Sequence, residues 1–188
     1  MRNRHLTRKR VIEGLLLGLV ISAGTHASPE ARPATLTLDD RQLELRSTGS
    51  AYYARFIHVY DAALYAPADT RPEQLLDSAT AKCLALSYRV SLKGSDIRKA
   101  AEKVLSRQHA DLAPWEADLA RLHAAYRDVG DGDEYALCHH PRTGTELSLN
   151  GVPLTRIETP GFDALYFGIW LREDAISRSL RDDLVRLD

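Results

Sequence analysis

The side chains of this sequence best suited to chemistry are two cysteines, Cys83 and Cys138, two adjacent histidines, His139 and His140, the acid run DVGDGDE, and four clustered tyrosines. Seven histidines invite a metal site, but neighbours on a strand point to opposite faces, so His139 and His140 do not share one ion. In the acid run, Asp128, Asp131, Asp133 and Glu134 lack the glycine and closing glutamate of a calcium loop at the required offsets, which leaves a solvated turn. No G-x-S-x-G nucleophile elbow, dinucleotide fingerprint or P-loop is present, and neither cysteine sits where its pKa would fall. The residues therefore point to no metal and no cofactor. Tyr52, Tyr53, Tyr60 and Tyr65 either line a pocket with rings that carry a hydroxyl handle or fill the core. Cys83 and Cys138 each fall in a strand pattern. If those strands are neighbours, a bridge closes a loop of roughly 55 residues, worth about 4 kcal/mol on the chain-entropy model; the alternative is two buried free thiols.

The elements that position these groups begin after a leader. MRNRHLTRKR carries five basic residues and is followed by the apolar GLLLGLVISAG, a run short for a bilayer span. With Thr25 and Ala27 as the small residues before a cut, residues 1–27 read as a secretory signal cleaved after Ala27; the competing reading is a retained anchor. Both export the rest, to the periplasm or the medium. Residues 28–188 then form one domain with 20 basic against 25 acidic side chains, a formal charge of −5, which argues against nucleic acid.

Within that domain, ATLTL and QLELR form a hairpin, and YYARFIHVYDAALYA, Tyr52 to Ala66, reads as one long bent strand. Thr70 and Pro72 open a short helix, and KCLALSYRV returns to strand. Helices start near Ser95 and Pro114. Three strands follow as a meander, EYALCHH, TELSL and VPLTRIE, the last two joined by Asn150-Gly151. Phe162, Leu165, Tyr166, Ile169 and Trp170 are spaced as an amphipathic helix capped by Thr159 and Pro160, and a last helix from Ala175 to Leu187 turns Ile176, Leu180, Leu184 and Leu187 inward. The residues alone define an exported α+β domain.

The segment GDEYALCHHPRTGTELSLNGVPLTRIETPGFDALYFGIWL resembles the signature of bacterial chalcone isomerase-like proteins, and VYDAALYAP and LSYRV fit the same order earlier in the chain. The resemblance implies an open-faced β-sandwich of chalcone isomerase type, an antiparallel sheet covered by a layer of helices, with a ligand cleft between the long strand and the helices. At the places where the plant enzymes carry their polar catalytic groups, this chain has Thr48, Tyr60, Ile97 and Val104, none of which matches. Those four are the cleft candidates. Asp61, Arg172 and Ala175 also depart from the family pattern. The expectation is a non-catalytic, exported protein that holds a small apolar or amphipathic molecule such as a fatty acid. It would be overturned by a cleft that its own Tyr60, Ile97 and Val104 fill. Two other readings stand beside it: an intramolecular lyase or isomerase acting on a chalcone-like enone through Arg55, Tyr53 or Arg98, and an envelope protein that uses a vestigial cleft to meet a protein partner.

Overall fold

The structure is a computed structural model that describes residues 32–187; the signal segment 1–27 and its cut after Ala27 lie outside the described residues. Within these residues, seven strands form one antiparallel sheet whose spatial order is the chain order: β1 (Thr35–Leu38), β2 (Arg41–Tyr53), β3 (Ile57–Ala66), β4 (Lys82–Tyr88), β5 (Glu134–His140), β6 (Gly144–Leu149) and β7 (Val152–Ile157). Among the described residues, four α-helices, α1 (Gly94–Gln108), α2 (Glu116–Ala125), α3 (Phe162–Leu171) and α4 (Arg178–Leu184), join one side of it. Strand alternation produces the two sides. Tyr60, Leu64, Leu84, Leu86, Tyr88 and Leu137 pack with the helices, whereas Leu43, Ala63, Tyr65, Cys83 and Ala85 form a smaller cluster on the other side. Among the described residues, no helix is long and apolar enough to cross a membrane.

Cys83 and Cys138 stand directly opposite each other in the β4–β5 register and are disulfide-bonded, the first of the two arrangements open to them. Asn150 and Gly151 both take positive φ, 51° and 75°, the conformation of a tight two-residue hairpin. Gly49 has a packing role: a Cβ there would come within 2.8 Å of Leu180 and 3.0 Å of Asp183, because α4 lies directly on β2. Ser47 Oγ donates to the Leu184 carbonyl at 2.6 Å and fixes the same contact.

Three expectations are corrected. The single strand from Tyr52 to Ala66 is two strands, with a turn at 54–56 in which Ala54 and Arg55 have φ of 50° and 72°. That turn has no Gly, Asn or Pro to announce it, while the glycine of STGS lies inside β2. The helix over 162–171 is not amphipathic: Phe167, Leu171 and even Asp163 are buried along with the five expected positions, so it is the central helix of its layer. The last helix begins at Arg178, capped by Ser177, which leaves Ile176 outside the helix and 40% exposed.

Candidate functional site

The helix-facing side of the sheet presents a layer of tyrosines. Tyr60 on β3, Tyr88 on β4 and Tyr135 on β5 stand side by side, with ring centroids 5.7 and 6.1 Å apart. Tyr126, just past α2, meets Tyr135 edge-on at 5.3 Å, and α3 lowers Tyr166 and Trp170 onto the group. Each hydroxyl that reaches a partner stays inside the layer or meets nearby backbone: Trp170 Nε1 donates to Tyr60 Oη at 3.2 Å, Tyr126 and Tyr166 share a 3.0 Å bond, and Tyr135 Oη donates to the Arg127 carbonyl at 3.1 Å. Burial pushes the Tyr60 phenol up to about 12, only partly offset by the Trp170 hydrogen bond. Burial also raises Tyr88, Tyr126 and Tyr166. Phenols so shifted are neutral hydrogen-bonding groups at neutral pH, not bases.

Of the four cleft candidates, Tyr60 and Val104 are buried between sheet and helices and Ile97 is half-buried on α1. Thr48 is not with them. It is exposed and pairs with Ala63, on the side of the sheet turned away from the helices. The resemblance places Thr48 with Tyr60, but β2 has register shifts at Leu45/Ser47 and Ala51/Tyr52, and bulges of this kind decide which face a residue takes. Tyr53 and Arg55 stand on the exposed β2–β3 turn, and Arg98 lies on α1, 3.8 Å from Glu102. The hydroxyls of Tyr60, Tyr126, Tyr135 and Tyr166 find their partners in the Trp170 indole, in one another and in the Arg127 backbone, rather than in an arginine or lysine side chain.

Open space lies beside this layer. A groove of about 490 Å³ runs between α1 and α2, walled by Leu112, Ala113, Leu119 and Ala120, with Arg98 and Glu102 at its rim. Its floor is His123, whose ring sits 6.3 Å from Tyr126 and 6.0 Å from Tyr166. His123 Nδ1 approaches Glu102 at 3.4 Å while Nε2 is buried without a partner. Burial lowers its pKa despite the Glu102 carboxylate, so the imidazole is neutral at pH 7. A second cavity, about 680 Å³, lies where the C-terminal ends of α1 and α3 meet α4; its lining shares no residue with the groove. Neither space is lined by Thr48, Tyr60, Ile97 or Val104.

One further cluster escaped the sequence reading. Lys82 and Asp163, both fully buried, form an ion pair at 2.6 Å, and Ser78 Oγ donates to the other Asp163 oxygen, also at 2.6 Å. His139 completes it, with Nε2 at 2.9 Å from the Ser78 carbonyl and Nδ1 at 3.0 Å from Thr145 Oγ1. Serine, histidine and aspartate are all present, but the histidine meets the serine's backbone rather than its hydroxyl, so this cluster holds no serine–histidine pair of the triad kind. Burial raises the Asp163 carboxyl, and Lys82 and the Ser78 bond more than reverse this, holding it ionised. The signal was available: Lys82 shares strand parity with the inward Leu84, Leu86 and Tyr88. The acid run is equally structural, since Asp128 accepts from the Gly94 N–H that opens α1, and Asp133 accepts from Gly130 and Asn150. His139 and His140 point to opposite faces, the latter toward Asp40 at 2.9 Å, and no group of metal-ligating side chains converges among the described residues.

A family model described as chalcone isomerase-like matches residues 29–185. Among solved structures, the fold is similar to that of a fatty-acid binding protein from Arabidopsis thaliana, with a TM-score of 0.61 and 12% identity over 82% of this chain and 90% of that one. No protein of curated function matches the sequence.

Proposed function

From the premise that the chain belongs to the chalcone isomerase-like family, we propose that it is a non-catalytic binding protein for a small apolar or amphipathic molecule, such as a fatty acid. The observation that carries this reading is the α1–α2 groove: about 490 Å³, mostly apolar, and floored by the neutral His123 over the tyrosine layer. Its size lies within the range of small-molecule sites, and a few polar groups around an apolar wall are what orient an amphiphile. The strand–helix cleft expected around Tyr60 is closed, with Tyr60 and Val104 buried in it and Tyr60 bonded to Trp170, which overturns a ligand in that cleft; the binding reading is therefore proposed only for the α1–α2 groove. The similarly folded Arabidopsis protein is a fatty-acid binding protein, which lends support to the ligand class.

Catalysis is disfavoured by the same residues. An isomerase acting on an enone must stabilise a developing oxyanion, and the tyrosine layer offers neutral phenols of raised pKa whose hydrogen bonds come from an indole, other phenols and backbone rather than from a cation. Export of residues 28–188 to the periplasm or beyond is part of the proposal; the Cys83–Cys138 disulfide, of a kind that oxidising compartments maintain, favours it.

Native mass spectrometry of the purified protein, followed by organic extraction, tests the reading. The expected result is an apolar adduct whose stoichiometry Leu119→Trp, which fills the groove, lowers by one molecule per chain. A clean mass with no adduct, joined to failure to bind any added fatty acid, would leave the protein-partner reading in its place. Measurable turnover of a chalcone at high protein concentration would instead establish the isomerase reading.

A further inference from the structure

Among the described residues, five buried side-chain nitrogen or oxygen atoms lack a hydrogen-bond partner: Gln108 Oε1, His109 Nε2, His123 Nε2, Arg172 Nε and Arg181 Nε. Folded proteins leave few such atoms unpaired, and each asks for an explanation. His123 belongs to the α1–α2 groove. Gln108, Arg172 and Arg181 line the 680 Å³ cavity at the ends of α1 and α3, with His109 next in sequence to Gln108. Three unpaired polar atoms thus share one open space.

The two arginines arrive there for different reasons. Arg172 follows α3 directly and folds back over Gly168, where a Cβ would lie 2.6 Å from its Nε. Its side chain makes no hydrogen bond or ion pair with any described residue. Arg181 sits on α4 and reaches only its neighbour Asp182, at 3.1 Å, through a different nitrogen. Beside them, Leu75, Leu76, Leu171 and Val185 form an apolar wall. The rim is acidic: Glu173 and Asp174 are exposed, and Glu73 is paired with Arg71 at 3.0 Å.

We propose that this cavity is a second binding site, for a monocarboxylate that carries an apolar chain. A carboxylate accepts from guanidinium N–H groups in the strongest kind of hydrogen bond available to it, and Arg172 and Arg181 each offer a buried Nε–H with no other acceptor. The chain lies along Leu75, Leu76, Leu171 and Val185. Gln108 Oε1 adds an acceptor for a hydroxyl on the ligand. The rim acids limit the charge: Glu173 and Asp174 offset the two guanidinium charges and repel a dianion such as a phosphate monoester more strongly than a single carboxylate. The site differs from the groove of the proposed function in every lining residue, so either can fail without the other.

The test is calorimetric titration of the full chain with dodecanoate below its micelle concentration, with dodecyl phosphate and dodecanol as controls. In Leu119→Trp, whose groove is blocked, dodecanoate is expected to bind once per chain and more tightly than either control. Adding Arg172→Gln and Arg181→Gln is expected to raise Kd by at least ~10-fold, the loss of charge-assisted hydrogen bonds, with the thermal midpoint reporting that the variant is folded. The single Arg172→Gln serves if the combined variant is not. Binding indifferent to the arginines overturns the proposal. So does the absence of binding in Leu119→Trp when the unaltered chain binds, which would leave the groove reading intact. A chain that binds no dodecanoate at all overturns the second site, and the adduct measurement then decides the groove by itself.

Discussion

Lys82 is the residue on which the interior is most sharply balanced. Its ammonium is fully buried and answers Asp163 at 2.6 Å, so Lys82→Met leaves a carboxylate in the core with the Ser78 hydroxyl as its hydrogen-bond donor and His139 Nε2 at 3.7 Å. The expected cost is about 3–5 kcal/mol in urea unfolding, and Lys82→Met with Asp163→Leu should cost less than Lys82→Met alone. Acid acts on the same neighbourhood. Burial depresses the imidazoles of His123 and His139 below their ordinary 6.5, so as pH falls through that value the unfolded chain binds protons that the folded chain refuses, and stability drops. Asp163 and Asp61 are held below the ordinary 3.8 by their partners once the upward push of burial is offset, and their contribution is present above that pH and lost beneath it. Urea midpoints measured from pH 8 down to pH 3 should therefore fall in two stages, the first flattened in His123→Gln. This cluster was partly readable, because strand parity places Lys82 inward; its partner was not, because Asp163 sits in an otherwise apolar helix and only the packing of α3 on β4 and β5 brings the two together.

At the scale of elements, α3 decides how the helical layer meets the sheet. Trp170 is buried, closes over Tyr60 and donates to its hydroxyl. Trp170→Ala should cost about 3–5 kcal/mol, while Tyr60→Phe should cost about 1–3 kcal/mol by leaving the indole N–H unpaired; comparing the two by thermal unfolding separates volume from hydrogen bonding. Gly144 tests the β5–β6 turn: with φ of 90° and the Ile157 carbonyl against the site of a Cβ, Gly144→Ala should unfold the hairpin locally and raise amide exchange in β6 and β7. Periodicity reveals elements of this kind when one face is wet, as in α1 with its exposed Lys99 and Lys103. It misleads where all faces are dry, as in α3, and where a turn is built from Ala54 and Arg55 rather than from Gly or Asn.

For the whole molecule, the disulfide ties β4 to β5 and closes a separation of 55 residues. Reduction should lower stability by about 4 kcal/mol on the chain-entropy model, read as a shift in urea midpoint with and without reductant. The layering, an antiparallel sheet covered by helices, was legible through the family resemblance of the run ending in GIWL; the strand order was not. The position of the open space was not, since it depends on which rings fill the cleft and where two arginines come to rest. The sheet's strand order, identical to its chain order, has a kinetic consequence. Most strands meet a partner within a short reach of chain, but β4 and β5 are separated by α1 and α2, residues 89–133, the longest connection in the sheet. Ring closure across that stretch is the slow search on the way to the native state. The bridge between Cys83 and Cys138 removes that search, so the oxidised chain should refold faster in stopped-flow than the reduced one, while unfolding rates differ less.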